Sequence, residues 1–88
     1  MPNVSIPSLM QNLTEGKEKI FVQGTTIRMV IDNLEASYPG FKERLCDGER
    51  IRPNIAVYVD GVISRDGMRK QVGSEAEIHF LPAISGGM

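Results

Sequence analysis

Gly24-Thr-Thr-Ile-Arg-Met-Val-Ile-Asp-Asn-Leu-Glu-Ala-Ser-Tyr38 changes the period of the chain. Ile27, Val30, Ile31, Leu34 and Tyr38 fall at spacings of three and four, which places them on one stripe of an amphipathic helix. Thr25 or Thr26 can cap its N-terminus by accepting a bond from an unpaired backbone N–H. Pro39-Gly40 stops it, because proline disfavours helical geometry in the residue before it and glycine supplies the turn. The rest of the chain reads mainly as strands and loops. One helix cannot cover both faces of a sheet, so this one is expected to lie across a single face.

Upstream, Val4-Ser-Ile-Pro-Ser-Leu-Met10 begins with apolar residues at alternate positions and reads as a first strand. Pro7 has no N–H for a ladder, so it calls for an outward position, a bulge or the end of pairing. The polar residues Gln11 to Gly16 read as a loop, returning the chain into a second strand, Lys17 to Gln23. Downstream, Phe41, Leu45 and Cys46 suggest a short turn under the main helix, and Asp47 to Arg52 reads as a polar loop. Ile55, Val57 and Val59 then alternate, and Asp60-Gly61 before Val62-Ile63 is a strong hairpin signal. Ser64 to Ser74 is polar, anchored by Met68 and Val72. In the closing strand Ala76 to Leu81, Ile78 and Phe80 point one way while Glu77, His79 and Leu81 point the other. The order ββαβββ predicts an α+β roll with Ile27, Val30, Ile31 and Leu34 packed on Ile55, Val57, Ile78 and Phe80.

Composition narrows the function. At 88 residues, 41% hydrophobic and 24% charged, the chain suits one small globular domain. No apolar stretch approaches bilayer length, and the N-terminus lacks a basic region followed by an apolar run, so a cytoplasmic location is expected. A formal net charge of −1 gives no field to hold a polyanion, which argues against nucleic acid. Single Cys46 and single His79 allow neither an internal disulfide nor a structural zinc site. Cys46 reads as a small core hydrophobe and His79 as a solvated strand residue. Glycosylation patterns at Asn3 and Asn12 have no meaning without secretion. There is no phosphate loop, dinucleotide fingerprint or His-Glu-x-x-His pattern. The domain reads as chemically inert.

Taken alone, the end Ala83-Ile-Ser-Gly-Gly-Met88 reads either as a frayed terminus or as a tail threaded into an enzyme. Two glycines make a thin terminus that can enter a narrow active-site channel, and their carbonyls have no Cβ to hinder a nucleophile.

Gly73-Ser-Glu-Ala-Glu-Ile-His-Phe-Leu-Pro-Ala-Ile-Ser-Gly-Gly87 resembles the closing pattern of the ubiquitin-like sulfur carriers of the ThiS and MoaD superfamily. The resemblance covers essentially the whole chain. Val4 to Ser8 and Asp32 to Leu45 look closer to the CysO-like carriers of cysteine biosynthesis. It implies a ubiquitin-like β-grasp with a mixed sheet, residues 1–82 forming the domain and 83–88 a flexible diglycine tail. It also implies a monomeric carrier and no enzyme. Gly87 would be adenylated by an E1-like adenylating enzyme that uses ATP, the carrier itself binding no cofactor or metal, and would then become a thiocarboxylate. The sulfur would pass to a cysteine-synthase-like partner. Leu81, Pro82, Ala83, Ile84, Ser85 and Gly86 would guide the tail, while Arg65, Arg69 and Lys70 read either as a charged rim or as a solvated loop. The resemblance leaves room for a ubiquitin-like protein modifier or the small subunit of a molybdopterin synthase. Met88 departs from the CysO-like pattern: it is either removed by a JAMM-type zinc metallopeptidase or an artefact of cloning.

Overall fold

The computed structural model describes residues 1–82. Asn3–Ser5 (β1) is followed by a 3-10 helix, Ser8–Thr14, and then by Lys19–Phe21 (β2). The helices Ile27–Ser37 (α1) and Phe41–Leu45 (α2) precede Cys46–Asp47 (β3) and Arg50–Ile51 (β4). Ile55–Val59 (β5), Val62–Ser64 (β6), a 3-10 turn at Gly67–Arg69 and Glu77–Pro82 (β7) complete the order. The main sheet runs β2-β1-β7-β5-β6, while β3 and β4 form a separate ribbon. β1 and β7 pair in parallel and the other neighbours are antiparallel, so the sheet is mixed. This is the expected β-grasp.

α1 forms where the stripe predicts it. Thr26 is the N-cap, its side-chain oxygen accepting the Met29 N–H at 3.2 Å. Ile27, Val30, Ile31 and Leu34 are fully buried in one core with Val4, Ile20, Val57, Val59, Ile78 and Phe80. Ile55 packs partly buried against that core. Glu35 reaches from α1 to α2, its carboxylate accepting the Gly40 N–H at 3.1 Å and the Lys42 N–H at 2.8 Å. Otherwise unpaired amides at the start of α2 are thereby satisfied. Gly24 lies where the chain meets α1: a Cβ built there would stand 2.8 Å from Val30 Cγ2 and 2.9 Å from its backbone nitrogen, at φ +154°.

Asp60 and Gly61 close the β5–β6 hairpin, both with positive φ. Met68 and Val72 are buried, as anchors of the polar stretch should be. Among the described residues no helix is long and apolar enough to cross a membrane.

Three segments differ from expectation. The first strand does not run to Met10: the last bond of that pairing is Ile6 N–H to the Glu18 carbonyl at 2.8 Å, and Pro7, which cannot donate, turns the chain into the 3-10 helix. The second strand is correspondingly shorter, Lys19–Phe21 rather than Lys17 to Gln23. Asp47 to Arg52 is no plain loop, because β3 and β4 pair Cys46 with Ile51 and Asp47 with Arg50. Cys46 and the half-buried Ile51 place this ribbon on the core, which stabilises so short a ladder.

Candidate functional site

The site lies at the end of the sheet where β7 delivers the chain toward its diglycine. Strand alternation sends Ile78 and Phe80 into the core and turns Leu81 outward, leaving it 43% exposed. In the β5–β7 ladder Leu81 lies opposite Ala56, and Pro82 opposite Ile55. Beside them the 3-10 helix holds Leu9 81% exposed. Pro7, Ser8, Leu9, Met10, Ile55, Phe80 and Leu81 line an apolar recess of about 220 Å³.

Backbone and side-chain bonds keep that wall in place. Met10 N–H donates to the Pro7 carbonyl at 2.8 Å, and Gln11 Nε2 donates to the Ile6 carbonyl at 3.1 Å. The fully buried Thr14 hydroxyl donates to the Lys17 carbonyl at 2.7 Å, pinning the far end of the 3-10 helix to the chain leading into β2. Apart from the Ser8 hydroxyl, which has no His or acidic side chain beside it in the lining, the recess is walled by Pro, Leu, Met, Ile and Phe. It can desolvate an apolar side chain, which is what a docking surface does.

The two conventional chemical candidates are kept apart. Cys46 is buried in the core, and burial pushes its thiol above the ordinary range, against a smaller downward pull from Lys42. It is therefore a protonated, packed side chain. His79 is half-buried on the opposite face of the sheet from the core, between Ser5 of β1 and Tyr58 of β5. Among the described residues no group of three or more His, Cys, Asp or Glu side chains could hold a metal ion.

Of the residues assigned to the tail, Leu81 and Pro82 belong to β7. Ala83, Ile84, Ser85, Gly86, Gly87 and Met88 lie outside the described residues. Sequence reasoning missed Leu9, Met10 and Ile55 as parts of a common surface. A signal was present: Leu9 and Met10 stand four and three residues before Leu13, a helical spacing that the strand reading of 4–10 passed over.

A β-grasp body with an exposed apolar recess beside its last described strand has the architecture of the ubiquitin-like proteins. Comparison with known proteins makes that class specific. The sequence profile of the ThiS family matches residues 4–87. Sulfur carrier protein CysO of Mycobacterium tuberculosis is 32% identical over 89 aligned positions, covering 96% of each chain. The structure most informative about partners is that of the Amycolatopsis orientalis BexX/CysO complex, which matches with a TM-score of 0.91 at 31% identity, over 99% of this chain and 100% of that one. Mycobacterium tuberculosis CysO superposes with a TM-score of 0.89 at 29% identity, over 96% and 100%. Small archaeal modifier protein 1 from Methanosarcina acetivorans, at 21% identity over 98% and 95% of the chains and a TM-score of 0.79, shares the fold. The chain belongs to the ThiS family. It is a sulfur carrier of the ThiS and CysO type, a non-catalytic protein on which other enzymes act.

Proposed function

We propose that the carboxylate of Gly87 is the functional terminus and that it carries sulfur as a thiocarboxylate. The observation that carries this reading is the extent of the family match, which runs to residue 87 and leaves Met88 outside it. A carboxylate resists nucleophiles because of its charge. An E1-like adenylating enzyme removes that obstacle by letting the carboxylate attack the α-phosphate of ATP, which expels pyrophosphate and leaves an acyl-adenylate. Sulfide then attacks the acyl carbon and AMP departs, giving the Gly87 thiocarboxylate. Its sulfur goes to an activated acceptor on a cysteine-synthase-like enzyme or to another sulfur metabolite. The carrier binds no cofactor in this scheme; ATP is consumed by its partner.

The peptide bond after Gly87 blocks the first step, so whatever follows it, starting with Met88, must be removed. A JAMM-type zinc metallopeptidase supplies that cut. The carrier works as a monomer in the cytoplasm, with the Leu9–Leu81 recess seated on the partner while the tail enters its active site. That a CysO protein of Amycolatopsis orientalis forms a complex with BexX supports this partner-bound mode.

Intact-mass spectrometry tests the proposal. A chain ending at Gly87, incubated with adenylating enzyme, ATP and sulfide, should gain the mass of one sulfur-for-oxygen exchange. High-mass adducts joined to lysines, with no such exchange, would identify a protein modifier instead.

A further inference from the structure

A second recess shares Ile51, Arg65 and Gly67 with a groove that also reaches Ile55 of the apolar one. Arg28, Arg50, Arg65 and Arg69 surround it, with Glu49 and Asp66, over the buried Met68; its volume is about 460 Å³. Arg28 is paired with Glu49. Among the described residues Arg50, Arg65 and Arg69 form no ion pair. Four arginines against two acids leave the recess positive, in a chain whose formal net charge is −1. The fold gathers these groups from four places: the first turn of α1, the β4 ribbon, the end of β6 and the 3-10 turn after it.

The register ties the basic recess to the tail root. Ser64, the last residue of β6, pairs with Val57. One step further, Arg65 follows toward the level of Ala56, and Ala56 pairs with Leu81. The surface between is continuous, since a groove containing Ile55, Ala56, Ser64 and Arg65 joins the two recesses. A partner seated on Leu81 therefore meets the guanidinium groups on its flank.

We infer that the basic recess formed by Arg50, Arg65 and Arg69, with Arg28, docks a carboxylate-rich segment of the adenylating enzyme that takes the tail. This rests on the proposed sulfur-carrier function. Guanidinium forks match carboxylates two bonds at a time, and exposed charge of this kind acts chiefly on the rate and orientation of encounter. A nucleic acid fits less well, because the phosphate chain would run beyond one recess onto a surface of net negative charge. The arginines are exposed at an open depression, which suits a rim that steers a macromolecule rather than an enclosed small-anion site.

The test is the association rate of the Gly87-terminated carrier with the adenylating enzyme, for the wild type and the Arg65→Glu/Arg69→Glu double variant. At about 20 mM salt the variant should associate at least about tenfold more slowly, and at about 500 mM the two rates should converge as the charges are screened. The Arg65→Gln/Arg69→Gln pair should fall between them, and equal thermal melts establish that all three are folded. Equal rates at low salt would overturn the inference. So would a difference undiminished by salt, or one abolished by inorganic pyrophosphate at a concentration that leaves ionic strength unchanged, which would mark a small-anion site. A salt-sensitive rate difference in a carrier that never gains sulfur would uphold the docking surface while removing the sulfur reading.

Discussion

Ile55 stands opposite Pro82 in the β5–β7 ladder, so the sheet holds the chain until only residues 83–86 separate it from Gly87. Five residue steps span at most about 18 Å when fully extended. The reacting centre of any enzyme that acts on Gly87 must lie within that distance of Pro82 at the end of β7. Deleting Ser85 shortens the reach by about 3.5 Å. Thiocarboxylate formation by the Gly87-terminated chain should then slow by an order of magnitude or more, while binding to the adenylating enzyme, measured by calorimetry, stays unchanged. Equal rates of sulfur loading would mean that the end is not threaded to a fixed depth.

The apolar recess should act through packing. Leu9→Asp or Leu81→Asp places a charge where a partner must exclude water, and each is expected to weaken binding about tenfold or more. Both positions are substantially exposed in the free protein, so the melting temperature should move little. A lost melt rather than lost binding would show that Leu9 and Leu81 serve the fold.

In the core, Leu34→Ala should cost about 2–5 kcal/mol in urea unfolding, the range for a fully buried leucine. Gly24→Ala should destabilise the domain by about 1–3 kcal/mol, because the added methyl meets both the Val30 side chain and its backbone nitrogen. A neutral Gly24→Ala would show that the approach of this loop to α1 can relax freely.

Much of this fold is legible in local pattern. The α1 stripe, Thr26 as its cap, Pro39-Gly40 as its end and the Asp60-Gly61 turn each depend on neighbours within a few residues. The 3-10 helix and the β3–β4 ribbon depend on more. Leu9 and Met10 fit a strand or a helical turn equally well until Pro7 ends the pairing with β2. Asp47-Gly48 is the same dipeptide that marks the β5–β6 hairpin, but its strands have two residues each and persist because Cys46 and Ile51 reach the core. The candidate site divides in the same way. Its terminus is legible as Gly86-Gly87, whereas the recess brings Leu9 beside Leu81 through the parallel β1–β7 pairing, which joins segments more than seventy residues apart.

Cys46 should be silent toward thiol reagents in the folded protein and react on unfolding, since its thiol is buried and held protonated. The raised value also fixes a sign for stability. The folded state holds this proton more tightly than the unfolded chain does, so the contribution is fully present below the ordinary thiol range and is lost as pH rises from that range through the folded value. Unfolding free energy measured against pH should decline over that alkaline window, and less steeply in Cys46→Ala. Rapid native-state alkylation at neutral pH would contradict the buried placement.

If Gly87 is the end that carries sulfur, the intact masses of two chains will show it. With adenylating enzyme, ATP and sulfide, the chain ending at Gly87 should exchange one oxygen for sulfur. The chain ending at Met88 should stay unmodified until a JAMM-type metallopeptidase is added. Equal modification of both chains, with the sulfur mapped to Met88, would contradict the account.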